Sequence, residues 1–454
     1  MRLGAGGILC ALQVAAEPTK ILTFSHHFSG LRRIVELCSK GPRIAVVFIH
    51  SDEYKMIRIG GGMLYLRNSL FVFQRFFQIL VLVGFPLFLL QAQANERIQP
   101  RKLLLQQGYR QVQFPTQTLQ SAKLRLAQKD PSPPAALSWP VNFEDASHSM
   151  GNNMLQFQSY GDLPYFHGGC DLRTAKGAEV RSPVAGRLEA GHYSYDTNPD
   201  GSMTKFFKSW PEQGEDLYFE VAVITEAGFR YEFHHIDRES LPTEIIQMLT
   251  VGGGKISVGQ TLGYVAEWPV AGVGGKYYHH THYNIVGPTG VRYNPEYFSK
   301  TLADQKAPRI FGVFAVDQNG LGTPLENGGR APLPMPSEFV VATTDQRELN
   351  VYTQAPPFLK LSFAPSLPSG IHYRRIETQW DFRSRLLDAK GNFPQLWDVF
   401  KKSLVLPTGI ELKTEGNYKA NFFLFRLKVP PGGFGPFEIQ VQDAAGNSSF
   451  FRMN

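Results

Sequence analysis

The stretch Tyr277-Tyr278-His279-His280-Thr281-His282-Tyr283-Asn284-Ile285 decides how this chain is read. Successive side chains of an extended chain point to opposite faces, so His280 and His282 share one face and Thr281 and Tyr283 the other. A lone His-x-His carries little information, but a second cluster lies upstream. His167-Gly168-Gly169-Cys170-Asp171 sets an imidazole and a carboxylate four residues apart, a same-face spacing on a strand and on a helix alike. Gly168 and Gly169 argue against the helix. Neutral imidazole nitrogen and carboxylate oxygen are ligand types that zinc takes where one position stays open for water, and three protein ligands plus that water make a catalytic site. Cys170 alternates out of phase with His167 and Asp171 and is expected to be a small core residue, with zinc ligation as the alternative.

His-x-x-x-Asp followed far downstream by His-x-His resembles the lysostaphin-type (LytM-type) zinc metallopeptidases, metallopeptidase family twenty-three. The flanking text is similar as well. Lys176-Gly177-Ala178-Glu179-Val180-Arg181-Ser182-Pro183-Val184-Ala185-Gly186-Arg187-Leu188 resembles that family's first strand and turn, and Val258-Gly259-Gln260-Thr261-Leu262-Gly263-Tyr264-Val265 its strand before the second motif. Tyr231-Glu232-Phe233-His234-His235-Ile236 resembles its Tyr-x-His-Leu, with His235 in register, and Tyr293-Asn294-Pro295-Glu296-Tyr297-Phe298 its closing motif. The likeness covers residues 145–300, a third of the chain, and several ordered motifs agree.

The bulk composition excludes one alternative. The net charge is +7, from 46 lysines and arginines against 39 acids. Ten of the basic and four of the acidic residues precede Asn95, leaving 36 against 35, so the surplus sits at the N-terminus and no nucleic-acid surface is expected. There Arg67 and Arg75 precede an apolar run at 76–90, broken by Gln78, Gly84 and Pro86 and ending in Ala92-Gln93-Ala94. A charged opening, an apolar core of that length and a small-x-small exit are the parts of a secretory signal peptide, placed at 63–94. That run is shorter than a typical membrane-spanning helix, so cleavage is expected rather than an anchor, and contact with the membrane is expected only through this segment. Residues 1–62 lack clear periodicity and are expected to be an upstream extension, with translation beginning at Met63 or Met56. With cleavage after Ala94, Cys170 is the one of three cysteines that remains, which excludes an internal disulfide.

Residues 95–138 read as a linker, with a hint of a strand around Arg110 to Phe114. Residues 139–304 read as the metallopeptidase domain, with strands at 220–225, 230–235, 261–266 and 280–286 and one helix at 241–249. Two inserts, 193–216 and 238–254, are expected to shape a groove. Residues 305–454 carry strand-like runs at 339–343, 359–364, 372–381, 421–429 and 437–442, and 386–402 reads as a helical insert. Asp443-Ala444-Ala445-Gly446-Asn447 turning into a last strand is similar to bacterial immunoglobulin-like modules. Trp380, Trp397, Phe422, Phe423 and Phe425 are expected in the core of that sandwich rather than on a sugar-stacking surface. The fold expected is thus mainly β: an antiparallel sheet of the lysostaphin/LytM-like, duplicated-hybrid-motif type, followed by an immunoglobulin-like β-sandwich.

The resemblance implies roles residue by residue. His167, Asp171 and His282 would bind Zn2+, His280 would accept the proton of the attacking water, and His235 would hold the scissile carbonyl and its oxyanion. His234 is the alternative to His235, since strict alternation lets only one of them face the metal. Asn284 stands where the family usually has an acid, and so brings no charge of its own to His282. The function implied is an exported zinc metalloendopeptidase, periplasmic or extracellular, acting on peptidoglycan peptides. A non-catalytic wall-binding or activator module and a protease acting on extracellular proteins are the alternatives.

Overall fold

The computed structural model describes the strand segments 13–14, 20–28, 31–40, 43–49, 55–57 and 64–65. It further describes residues 101–112, 132–142, 150–159, 163–269, 277–347, 352–363, 376–387, 391–414, 421–433 and 435–454. The chain divides into two compact units, Met1–Ala92 and Gln93–Asn454. In the first, Gln13–Val14, Lys20–Phe28, Leu31–Lys40 and Arg43–Ile49 form an antiparallel sheet, and Lys55–Ile57 pairs with Leu64–Tyr65. Strands therefore occur where no clear periodicity was read; Lys20–Phe28 and Arg43–Ile49 are rich in Ile, Val, Phe and Thr, which favour extended chain without alternating. The apolar run of the expected signal peptide lies outside the described residues. Among the described residues, no helix is long and apolar enough to cross a membrane.

The second unit is mainly β, and its named sheets are antiparallel. Its principal sheet contains β1 (Arg110–Gln111), β2 (Cys170–Arg173), β3 (Gly186–Thr197), β4 (Met203–Ser209), β5 (Phe219–Ile224), β6 (Arg230–His234) and β7 (His280–Val286). Their order across the sheet is β2-β7-β6-β5-β3-β4-β1. The linker thus contributes an edge strand, and the insert at 193–216 is largely the β3–β4 hairpin rather than an open loop. Its turn is Asn198-Pro199-Asp200-Gly201, closed by Gly201 N–H donating to Asn198 O at 2.9 Å, with Gly201 at φ +86°. The helix α1 (Thr243–Thr250) begins after Pro242 and buries Ile245 and Leu249, four apart on one face.

The sheet has two buried faces of opposite character. Leu188 and Ala190 on β3, Val221 and Val223 on β5, Tyr231 and Phe233 on β6 and Tyr283 and Ile285 on β7 turn into a common apolar core. Cross-strand partners Phe233 and Tyr283 stack there with ring centroids 5.3 Å apart. Cys170 and Leu172 join the same core, so Cys170 lies on the face away from Asp171, and burial raises its thiol pKa. The alternate residues Glu220, Glu232, His234, His280, His282 and Asn284 lie on the opposite face and are buried too. A buried charge is tolerable only with partners, and this requirement shapes that face.

Two four-stranded sheets follow: β9-β8-β10-β13 and β12-β11-β14-β15. They are built from β8 (Arg309–Val316), β9 (Gly322–Pro324), β10 (Glu338–Thr344), β11 (Phe358–Phe363), β12 (Ile376–Asp381), β13 (Phe423–Lys428), β14 (Phe437–Gln442) and β15 (Ser448–Met453). Phe339, Val341, Leu359, Leu361, Phe423, Phe425, Ile439 and Val441 fill the space between the sheets. Phe423 and Phe425 are fully buried, Trp380 and Trp397 pack on this core, and Phe422 packs on a smaller one. The helix expected over 386–402 shrinks to Leu396–Val399, because Pro394 and Gly391 leave no room for more turns before it. The sandwich and the principal sheet share one core: Phe157 packs on Trp397 and Phe400, and Phe166 on Phe393 and Phe400.

Candidate metal centre

Antiparallel pairing of β2 with β7 sets Asp171 opposite His282 and Arg173 opposite His280. His167 enters from the segment just before β2. The three expected ligands thereby meet: Asp171 Oδ1 lies 3.1 Å from His167 Nε2 and 2.8 Å from His282 Nδ1. With each contributing one donor atom, the three donors lie within 4.8 Å of one another.

The atoms facing away from this point are all engaged. His167 Nδ1 donates to the carbonyl of Asn153 at 2.9 Å, which leaves Nε2 turned inward. Asp171 Oδ2 accepts from Asn152 Nδ2 at 2.7 Å and from the Tyr278 hydroxyl at 3.2 Å, leaving Oδ1 for the centre. His282 Nε2 contacts Asn284 Oδ1 at 2.9 Å, leaving Nδ1 inward. Burial would raise the Asp171 pKa, but the imidazoles of His167 and His280 outweigh it and hold the carboxyl well below the usual range. Burial, and then the neighbouring His167 imidazole, pushes His282 down to about 3, so both nitrogens of that ring are not protonated together near neutral pH. Two imidazoles and one carboxylate, each oriented by its remaining atom, fit the donor set of a zinc ion with an open position.

His280 stands beside the trio without joining it. Its Nδ1 donates to Tyr278 O at 2.8 Å, and its Nε2 lies 3.7 Å from Asp171 Oδ1. His235 is held the same way: Nδ1 donates to Leu217 O at 2.7 Å, and the ring lies 4.7 Å from that of His280. Both therefore present an unprotonated Nε2 while neutral. Burial, and then His280, pushes the His235 pKa well below its ordinary value. The Tyr193 hydroxyl lies 3.4 Å from His235 Nδ1 and 3.5 Å from Nε2.

The choice between His234 and His235 does not arise in the form the alternation posed it. The strand β6 ends at His234, and His235 has φ +60°, in the left-handed region, which breaks the alternation. Both rings consequently lie on the polar face: His234 is 5.1 Å from the His282 ring, and His235 is next to His280. His234 belongs to a different cluster, with Nε2 2.9 Å from Glu220 Oε2 and 3.4 Å from Glu232 Oε2.

Sequence reading missed Asn152, Asn153, Tyr278 and Glu232. Tyr278 was within reach, since it shares the parity of His280 and His282. The two asparagines carry no periodic signal, because their contacts are made by an irregular segment. Gly151 before them has a geometric reason: a Cβ there would lie 1.8 Å from the Tyr278 hydroxyl that bonds Asp171. A cleft of about 470 Å3 is lined by Tyr193, Tyr195, Tyr218, Tyr109, Lys208 and Leu104 among others; none of the five site residues lines it, and Tyr193, whose hydroxyl contacts His235, connects the two.

No family model matches the chain, and no curated protein matches it. Among solved structures the chain is similar to a chain in the structure of the SpoIIQ–SpoIIIAH pore-forming complex, with 16% sequence identity, 37% of this chain and 94% of that chain covered, and a TM-score of 0.24.

Proposed function

We propose that this protein is an exported zinc metalloendopeptidase that hydrolyses peptide bonds in peptidoglycan cross-links or stem peptides. One observation carries the reading: three donors converge with their outward atoms satisfied, and two further imidazoles adjoin them, His280 with Nε2 3.7 Å from Asp171 Oδ1 and His235 with its ring 4.7 Å from that of His280. His167 Nε2, Asp171 Oδ1 and His282 Nδ1 would hold the zinc, which supplies a Lewis acid and a water of lowered pKa.

The rest of the chemistry falls to the chain. His280, tied through Nδ1 to Tyr278 O, accepts the proton of the attacking water at Nε2. His235 holds no proton on Nε2 while neutral, so it donates to the developing oxyanion only after taking one up. The Tyr193 hydroxyl, beside His235 and on the wall of the cleft, is placed to bind the same carbonyl or to share that proton. The wall substrate and export rest on the motif likeness and on the signal-like segment at 63–94.

One observation favours the non-catalytic alternative. His167, Asp171, His235, His280 and His282 are all less than a tenth exposed, and the Trp268 ring stands 4.5 Å from His235 and 4.8 Å from His280. Digestion of purified peptidoglycan decides between them. New amino termini identified by mass spectrometry, lost on chelation and regained with zinc, are the expected outcome. A zinc-loaded protein that binds wall and releases no amino termini would make it a binding module, and cleavage of casein but not of wall would move the substrate to extracellular proteins.

A further inference from the structure

Three aspartates far apart in the sequence meet in the second unit. Asp304 lies in the connection that leads to β8, Asp345 follows β10, and Asp443 follows β14 and opens the turn to β15. One carboxylate oxygen from each lies within 4.8 Å of the others. All three side chains are withdrawn from water: Asp345 and Asp443 are 2% and 1% exposed, and the side chain of Asp304 is 1% exposed.

Local hydrogen bonds hold the three in place. Asn447 donates from its backbone N–H and its Nδ2 to the two oxygens of Asp443 at 2.8 and 2.7 Å, and Nδ2 also donates to Asp304 O at 3.1 Å. One asparagine thus ties two of the segments together. Asp304 Oδ1 accepts from Lys306 N–H at 3.1 Å. Asp345 exchanges both main-chain hydrogen bonds with Gln354 at 2.8 Å, yet its buried Oδ1 has no hydrogen-bond partner. Nearly every buried polar oxygen has one, so a ligand is called for at this atom.

The neighbouring cations do not match the charge. Arg347 bonds Glu296 through Nη2 and lies 3.6 Å from Asp304 Oδ2 through Nε, so four carboxylates face one guanidinium. Burial pushes the Asp345 pKa well above the usual carboxylate range; Arg347 relieves this in part, and Asp443, Asp304 and Glu296 add to it. A proton shared within the trio would leave two negative charges in excess, and a divalent ion only one. Every donor of the trio is a carboxylate oxygen, the type calcium takes together with carbonyls and water, whereas zinc favours the nitrogens of the histidine centre. Magnesium keeps several of its own waters, which three buried carboxylates disfavour. We propose that Asp304, Asp345 and Asp443 form a calcium site that pins the connection leading into the sandwich to the ends of β10 and β14. It shares no ligand with the histidine centre.

The test titrates calcium alone into the full-length, metal-free protein by calorimetry and follows thermal unfolding with and without it. About one calcium per chain should bind, with a Kd of ~10⁻³ M or tighter. Calcium at about a hundredfold excess over Kd should raise Tm by about 5 °C. Asp345→Asn keeps the shape and removes one charge, so it should weaken calcium binding by ~10-fold or more while leaving the calcium-free protein at least as stable as wild type. A merely structural aspartate would not give these opposite responses. Should that variant fail to fold, Asp304→Asn, which can still accept from Lys306 N–H, makes the same test. Asp171→Ala should bind calcium as wild type does. Absence of saturable binding up to ~10 mM calcium overturns the proposal, because the trio then shares a proton instead. Wild-type calcium affinity in Asp345→Asn or Asp304→Asn, loss of calcium in Asp171→Ala, or magnesium bound as tightly as calcium overturns it too.

Discussion

Two donor clusters lie side by side on the polar face of one sheet: His167, Asp171 and His282, and Glu220, Glu232 and His234. Each brings three donor atoms within 4.8 Å of one another, and all six residues are buried. By donor type alone either would take a divalent ion. They differ in the cations already present. Lys205 bonds both Glu220 and Glu232, and Arg230 bonds Glu189, Glu220 and Glu232. Around Asp171, among the described residues, the ion-pair partners are imidazoles alone. Histidine can stay neutral and offer a lone pair, whereas lysine and arginine fill the place a metal would occupy. A donor cluster thus becomes a metal site through what is left unneutralised around it.

Metal analysis gives the sharpest test of that difference. His167→Ala, Asp171→Ala and His282→Ala should each lower zinc affinity by ~100-fold or more, whereas Glu220→Gln should leave about one zinc per chain. A second equivalent in wild type that disappears in His234→Ala would break the comparison.

A smaller effect is expected on folding. Lys205→Met leaves the buried Glu220 and Glu232 with Arg230 as their remaining cationic partner, and breaking a buried ion pair from one side costs about 3–5 kcal/mol, read by denaturant unfolding. Loss of stability below ~1 kcal/mol would mean that Arg230 alone suffices to compensate Glu220 and Glu232.

The least of the three effects is a slope with pH. Burial and Glu232 raise the Glu220 pKa, but Lys205 and Arg230 outweigh them and bring it down to about 2. A carboxyl depressed on folding stabilises above its unfolded pKa of about 4.5, and that contribution drains away as the pH falls towards 2. Unfolding in urea across this range should show a loss of up to ~3 kcal/mol in wild type and a shallower slope in Glu220→Gln.

Within each motif the shared face was legible from short-range rules, whereas the joining of His167 and Asp171 to His282 was implied only by the motif likeness and depends on the β2–β7 register. Alternation alone sets His280 and His282 on one face, and β7 spans His280–Val286, the bounds expected for it. The pattern of Phe437, Ile439 and Val441 gave β14 in the same way. The second cluster was illegible because its members come from separate strands, Lys205 on β4, Glu220 on β5 and Arg230 and Glu232 on β6, and only the pairing register unites them. Alternation also failed at His235, where one left-handed residue cancels the rule. The inserts misled for a related reason: a stretch long enough to be a loop, 193–216, was long enough to be a hairpin.

The Asn153 side chain has a partner that changes how the molecule should be divided. Its amide donates to Ala355 O at 2.8 Å and accepts from Ala355 N–H at 3.2 Å, in the connection between two sandwich strands, while its own carbonyl orients His167. Gln354 reaches the carbonyls of Met150 and Gly151, and Tyr352 packs on Tyr278 at 5.3 Å. The sandwich is therefore a buttress of the histidine cluster and not a passenger behind it. A graft or chimera cut near residue 305 would carry the ligands away from the scaffolding that aims them, so this architecture does not exchange its parts in the way its two-part appearance suggests.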